Sequence, residues 1–259
     1  MQALGVIAPD VVVESVTEEF AERGRVGVVH ADTDPVVRSD GVAATTYDLG
    51  SEGWHGRGEV QSLDAILDRL ARDHDYAVVT DAPESRLPHL VVGDRSVRRE
   101  LHRVEDATAV DPAAVADALA ATTPYETLGS LVAKAKRATG EEYAGAIATF
   151  TGRVRARDSH EDDPTEYLEF EQYGDVAEER LATIREDLTD REGVQEVLLH
   201  HRTGVVAAGE DIVFVVVLAG HRSEAFRTVE DGINRLKDEV PIFKKEVTVE
   251  EEFWVHDQA

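Results

Sequence analysis

The sequence contains no cysteine, a single methionine and only five lysines among 259 residues. Without cysteine there is no disulfide framework, no thiolate nucleophile and no thiolate metal site. No apolar run approaches the roughly 18 residues that a membrane span needs. The opening MQALGVIAPD has no basic segment ahead of its apolar stretch, so a signal peptide is not expected. No HExxH, HxH or clustered-carboxylate pattern points to a metal, and neither a metal nor another cofactor is expected. Cytoplasmic residence is the default expectation, with no membrane partner.

Positive charge is also scarce. There are 53 acidic residues against 27 basic ones, a formal net charge of −26. The acids are spread along the whole chain, which reads as a solvated coat and not as a tail. Such a coat suits a halophilic cytosol, where molar salt shortens the Debye length to about 3 Å and screens self-repulsion. It would repel nucleic acid, which is not expected as a partner. The hydrophobic share of 42% is enough for a packed core, and the length suits two domains.

The five lysines are Lys134, Lys136, Lys237, Lys244 and Lys245, and arginine carries the rest of the positive charge. Arginine is never usefully deprotonated. A lysine can act as a neutral amine where burial or neighbouring cations disfavour its charge. Three lysines within nine residues, in a chain that otherwise avoids them, are therefore candidates for chemistry.

The first part of the chain alternates strand-like and helix-like segments: Leu4–Ala8, helix Val16–Arg23, Val26–His30, amphipathic helix Leu63–Arg72, Tyr76–Thr80 and Leu90–Val92. This order predicts an α/β domain with a parallel sheet. An acidic, Ala-rich stretch leads to Pro124, and we expect a division into residues 1–122 and 123–259. The second part predicts an α+β domain with a mostly antiparallel sheet. Its elements are helix Leu128–Thr139, strands Ala144–Arg155 and Tyr167–Tyr173, a helix begun by Asp175 with Glu178, strands Val194–His201 and Asp211–Ala219, a helix capped by Ser223 and stopped by Pro241, and a closing strand Val247–Val255. Asp211–Ala219 is apolar enough to be buried on both faces.

Lys237 falls on the last turn of the final helix, and Lys244 and Lys245 follow the Pro241 turn. Gly220-His221-Arg222 lies where a buried strand meets the N-terminus of that helix, a place suited to an anion. Phe150-Thr151-Gly152-Arg153-Val154-Arg155 ends another strand with two arginines. Arginine, histidine and lysine gathered at element ends suggest an anionic substrate acted on by an amine. Lys245 reads as a solvated neighbour, His160 as a surface residue, and His200 and His201 as structural strand-end residues.

The stretch from about Gly145 to Trp254 resembles the MoaE family, the catalytic large subunits of molybdopterin synthase. The pieces that carry the resemblance are FTGRVR (Phe150–Arg155), HHRTG (His200–Gly204), Gly209-Glu210, HRSEAF (His221–Phe226) and LKDEVPIFKKE (Leu236–Glu246). The resemblance implies an α+β fold of the MoaE hammerhead type. It also implies transfer of two sulfurs to cyclic pyranopterin monophosphate, forming the dithiolene of molybdopterin. The sulfur donor would be the C-terminal Gly-Gly thiocarboxylate of a ubiquitin-like small subunit, bound to a homodimer of large subunits within a heterotetramer. By position, Lys237 would be the principal catalytic residue and Lys244 its assistant, while Arg155, His221, Arg222 and Phe150 would line the substrate pocket. Two other readings stay open: a non-catalytic pterin-binding scaffold, and an acceptor of ubiquitin-like conjugation at Lys237 or Lys244.

The N-terminal part, with LGVIA, RVGVVHAD, YAVVTDAPES and LPHLVVGDR, is similar to the P-loop accessory proteins of the MobB type. It departs where their phosphate loop should stand. Pro9-Asp10-Val11-Val12-Val13-Glu14-Ser15 follows the first strand, and no lysine precedes Lys134. A P-loop-like but degenerate α/β domain without nucleotide hydrolysis is expected.

Overall fold

A computed structural model describes residues 1–31, 45–59, 61–157, 159, 163–172, 174–248 and 252–255. His160, Tyr173 and the side chain of Asp175 lie outside the described residues. The chain forms two compact units, Met1–Glu126 and Thr127–Ala259.

In the first unit, strands β1 (Gln2–Ile7), β2 (Val26–His30), β5 (Tyr76–Thr80), β6 (His89–Val92) and β7 (Glu100–Val104) form one sheet in the order β2-β5-β1-β6-β7. Every pairing in it is parallel. Alternation along the strands sends Leu4, Val6, Val78 and Leu90 to one face, under helices α1 (Asp10–Arg23) and α3 (Pro112–Ala120). Ala3, Ala77 and Val79 go to the other face, under α2 (Leu63–Leu70). A two-stranded hairpin, β3 (Thr45–Leu49) with β4 (Trp54–Gly58), was not foreseen, and neither was β7.

Helix α1 begins at Asp10, not at Val16. Its first turn holds the β-branched run Val11-Val12-Val13, which by itself reads as strand. The spacing of Val12, Val16 and Phe20, all buried on the sheet, prevails over that local preference.

His89 is fully buried in this unit, with ring nitrogens 3.1 Å from the Arg99 carbonyl and 2.9 Å from the Ala82 carbonyl. A Cβ on Gly5 would lie 2.2 Å from the ring. The ring is tethered at both ends and cannot yield cheaply. Gly5→Ala is therefore expected to destabilise this unit by about 2 kcal/mol or more, read as a lower denaturant midpoint.

In the second unit, β8 (Ala146–Arg153), β10 (Val194–His201) and β12 (Asp211–Ala219) form an antiparallel sheet with β12 in the middle. Val213, Val215 and Val217 pack under α5 (Gly174–Thr189) and α6 (Arg222–Glu239), while Phe214, Val216 and Leu218 pack under α4 (Leu128–Ala135). Burial of β12 on both faces follows from its central place between two helical layers. A second antiparallel sheet has the order β11-β9-β13-β14, from β11 (Gly204–Ala207), β9 (Thr165–Gln172), β13 (Ile242–Thr248) and β14 (Glu252–Val255).

Three local expectations are corrected. His221, not Ser223, stands at the N-cap of α6, and the Ser223 hydroxyl bonds to Glu224. The expected closing strand Val247–Val255 is two strands, the first of which begins earlier, at Ile242, and takes in Lys244 and Lys245. Lys245 is half-buried and 3.9 Å from a Glu169 carboxylate oxygen, not a solvated neighbour. No described helix is long and apolar enough to cross a membrane.

Candidate active site

Helix α6 buries Ala225, Val229, Ile233 and Leu236, and the turn around Pro241 ends it. Lys237, one residue past Leu236, projects exposed from its last turn, where the helix dipole favours a cation. The chain then enters β13. There Lys244 is half-buried and pairs in register with Phe170 of β9 on one side and with Val255 of β14 on the other. Directly opposed residues share a face, and so do residues two apart. Lys244 therefore stands on the same face as buried Phe170 and as Glu246, whose carboxylate accepts a hydrogen bond from the Thr165 hydroxyl at 2.5 Å.

Phe150 of β8 is half-buried and, like Ile242, packs on the cluster that contains Leu236 and Val240. Val154 is buried in the neighbouring cluster with Phe170, and Ile242 packs against both clusters. The Val154 amide donates to the Glu210 carbonyl and its carbonyl accepts from the Gly209 amide, both at 2.9 Å. This anchors the backbone just before Arg155, whose side chain is exposed. The other arginine of the motif is committed elsewhere: Arg153 pairs with Asp211 at 3.1 Å and also donates to the Gly209 carbonyl. The neighbours of the predicted residues thus share packing: Leu236 precedes Lys237, Val154 precedes Arg155, Phe170 pairs with Lys244, and Phe150 packs on the first cluster directly.

His221 and Arg222 stand apart from Lys237. They begin α6 and Lys237 ends it, fifteen residues later, so about 22 Å of helix separates them at 1.5 Å per residue. The strands agree. His221 follows the Ala219 end of β12, which pairs with Ala146, whereas Arg153 is paired with Asp211 at the far end. The helix N-terminus is also partly satisfied from within. The Glu224 carboxyl is held below its ordinary range by its own backbone N–H and the Ser223 hydroxyl, with His221 and Arg227 nearby. An incoming anion would meet the exposed His221 and Arg222 side chains before the amides.

Sequence reasoning missed Phe170, Glu246 and the part played by His201. Reading Lys244 as a strand residue would have put Glu246 beside it at once. His201 is buried, its Nδ1 is 2.7 Å from the Arg202 carbonyl, and its ring meets Phe170 edge-on at 4.9 Å. Burial pushes its pKa down from 6.5 to about 4. The unfolded chain thus binds this proton at a higher pH than the folded chain. The stabilisation from keeping the ring neutral is complete above about pH 6.5 and is lost as the pH falls towards 4. The expected loss across that window is about 3 kcal/mol, and His201→Gln should flatten the corresponding slope in denaturant midpoint against pH.

Among the described residues, no group of three or more histidine, aspartate or glutamate side chains could hold a metal ion. Residues 126–239 match the family model described as MoaE protein, which takes in Lys237 and stops short of Lys244. The probable molybdopterin synthase of Haloferax volcanii is 52% identical over 239 residues, covering 91% of each chain. That alignment is longer than the second unit and so extends well into the first. The molybdopterin synthase catalytic subunit of Pyrococcus abyssi is 38% identical over 111 residues, 43% of this chain and 74% of its own length. Among solved structures, molybdopterin synthase from Staphylococcus aureus has a TM-score of 0.45 at 32% identity, covering 52% of this chain and 93% of that one.

Proposed function

Because the chain belongs to the MoaE family of molybdopterin synthases, we propose that it is the catalytic large subunit of that enzyme. It moves two sulfurs from the thiocarboxylated C-terminus of a ubiquitin-like small subunit onto cyclic pyranopterin monophosphate. Each transfer exchanges one substrate oxygen for one sulfur and returns the partner's terminus as a carboxylate, so atoms balance without a redox step. What supports the reading is the packing of the neighbours of these residues: Phe150 and Leu236 in or against one cluster, Val154 and Phe170 in the other, with Ile242 packed against both. As an ammonium, Lys237 stabilises charge on the departing oxygen; as an amine, it accepts a proton or attacks the acyl carbon. Lys244 supplies a second cation, and Arg155 and Phe150 offer a guanidinium and an aromatic face to phosphate and pterin.

The separation of His221 and Arg222 from Lys237 fits an assembly of two copies. In a two-fold dimer, the α6 N-terminus of one protomer completes the pocket at the α6 C-terminus of the other. The defining test is formation of molybdopterin in molar salt from cyclic pyranopterin monophosphate and a thiocarboxylated ubiquitin-like partner. No product from folded protein in complex with that partner would refute the assignment. The exposure of Lys237 also suits the conjugation-acceptor reading, which instead requires an isopeptide-linked adduct to form and no dithiolene.

For the first unit, the parallel order β2-β5-β1-β6-β7, with α1 directly after β1, supports a P-loop-derived fold of the MobB type that has lost its phosphate loop. Pro9 caps α1 without a side-chain hydrogen bond, and Asp10 puts a negative charge where a phosphate would bind. Purified protein is expected to release no phosphate from ATP or GTP above the buffer rate. Turnover abolished by Asp10→Ala would overturn this.

A further inference from the structure

Parallel neighbours β6 and β7 are joined by Gly93–Arg99 alone, where a parallel crossover usually takes a dozen residues or more. The short connection is held at many points along its backbone. Gly93 has φ +87 and its amide donates to the Val104 carbonyl at 2.8 Å. The Arg103 guanidinium reaches back to the carbonyls of Gly93 at 2.6 Å and Arg95 at 3.1 Å, while its Nε takes the Glu100 carboxylate at 2.7 Å. The Arg98 amide donates to the Pro83 carbonyl at 3.0 Å, and the Arg99 carbonyl accepts from the amide of buried His89 at 2.9 Å.

The side chains of Arg95, Arg98 and Arg99 contrast with this fixed backbone. All three residues are exposed, and none of the three guanidinium groups has an ion-pair or hydrogen-bond partner among the described residues. Some other arginines of this acidic chain are drawn into pairs, such as Arg23 with Glu19 and Asp117, Arg191 with Asp231, and Arg235 with Asp187 and Glu239; what sets the crossover apart is three exposed arginines within five residues. Asp94 is the one carboxylate within the crossover, and Glu100 beside it is taken by Arg103. Three unspent guanidinium groups on a rigid crossover therefore form a positive island in a surface of net charge −26.

We propose that this crossover docks a carboxylate-rich surface of a partner protein. Guanidinium pairs with carboxylate through two parallel hydrogen bonds, a contact interaction that persists where salt has screened longer-range attraction. The pinned backbone means that binding orders side chains only, which lowers its entropic cost. A protein footprint can be confined to the island. A nucleic acid would have to continue over the acidic surface around it, and its phosphate contacts weaken steeply with salt.

The test uses the full chain in about 1 M KCl, with a fluorescent poly-glutamate peptide of roughly 20 residues followed by anisotropy. Wild type should bind the peptide, and bind it more tightly than an oligothymidylate of equal length. The R95Q/R98Q/R99Q variant should lose about tenfold or more in affinity, and the matching triple lysine variant should fall between the two because it keeps the charge and loses the paired geometry. The single variant Arg98→Gln, measured alongside, should weaken binding by about threefold and keeps the test decisive if the triple variant folds poorly. No peptide binding by wild type, undiminished binding by the variants, or preference for the oligonucleotide would each overturn the proposal.

Discussion

Lys237→Ala is expected to lower the rate of molybdopterin formation by about 10²-fold or more while leaving the melting temperature where it was. The two halves of that result come from the same geometry. Leu236 is buried in the helix stripe, and its loss would cost stability. Lys237, one residue on, is exposed and outside the buried core. Lys237→Arg keeps the charge and the helix and should still fail wherever a deprotonated amine is required, since arginine does not supply one. Retained turnover in the alanine variant, with normal partner binding, would remove this residue from the centre of the reaction.

Mixing two inactive variants should restore activity. Arg222→Ala and Lys237→Ala each disable both pockets of a symmetric dimer in which α6 contributes opposite ends to different pockets. In a heterodimer, one pocket inherits both defects and the other neither. Statistical reassortment of two equal populations makes half the dimers hetero, so the mixture should recover about a quarter of wild-type turnover. Each variant alone stays low. No recovery after verified subunit exchange would mean that His221 and Arg222 do not complete the pocket of Lys237 across the dimer.

Much of this architecture could be read from the chain because periodicity and burial agree. Val26–His30, Tyr76–Thr80, Val194–His201 and Asp211–Ala219 are strands with the bounds that alternation and apolar runs suggest. Elements were missed where the local signal was short or misleading. β11 has only four residues, beginning with a left-handed Gly204, and β7, Glu-Leu-His-Arg-Val, alternates too weakly to stand out. The start of α1 was hidden by its valines. At the site, the sequence marked single residues by type but could not measure distances. It therefore grouped His221 with Lys237, which one helix holds apart. It also passed over Phe170 and Glu246, whose relation to Lys244 exists only through the pairing of β9 with β13.

Helix α6 also acts as a ruler. Its register matters at both ends, with Arg222 on the first turn and Lys237 on the last. One residue added between them would carry Lys237 about 1.5 Å further and swing it about 100° around the axis. The same insertion would also displace the buried stripe that seats the helix. Sequence length is therefore as constrained here as residue identity: substitution of exposed Asn234 or Glu230 disturbs the helix far less than gain or loss of a position between Arg222 and Lys237.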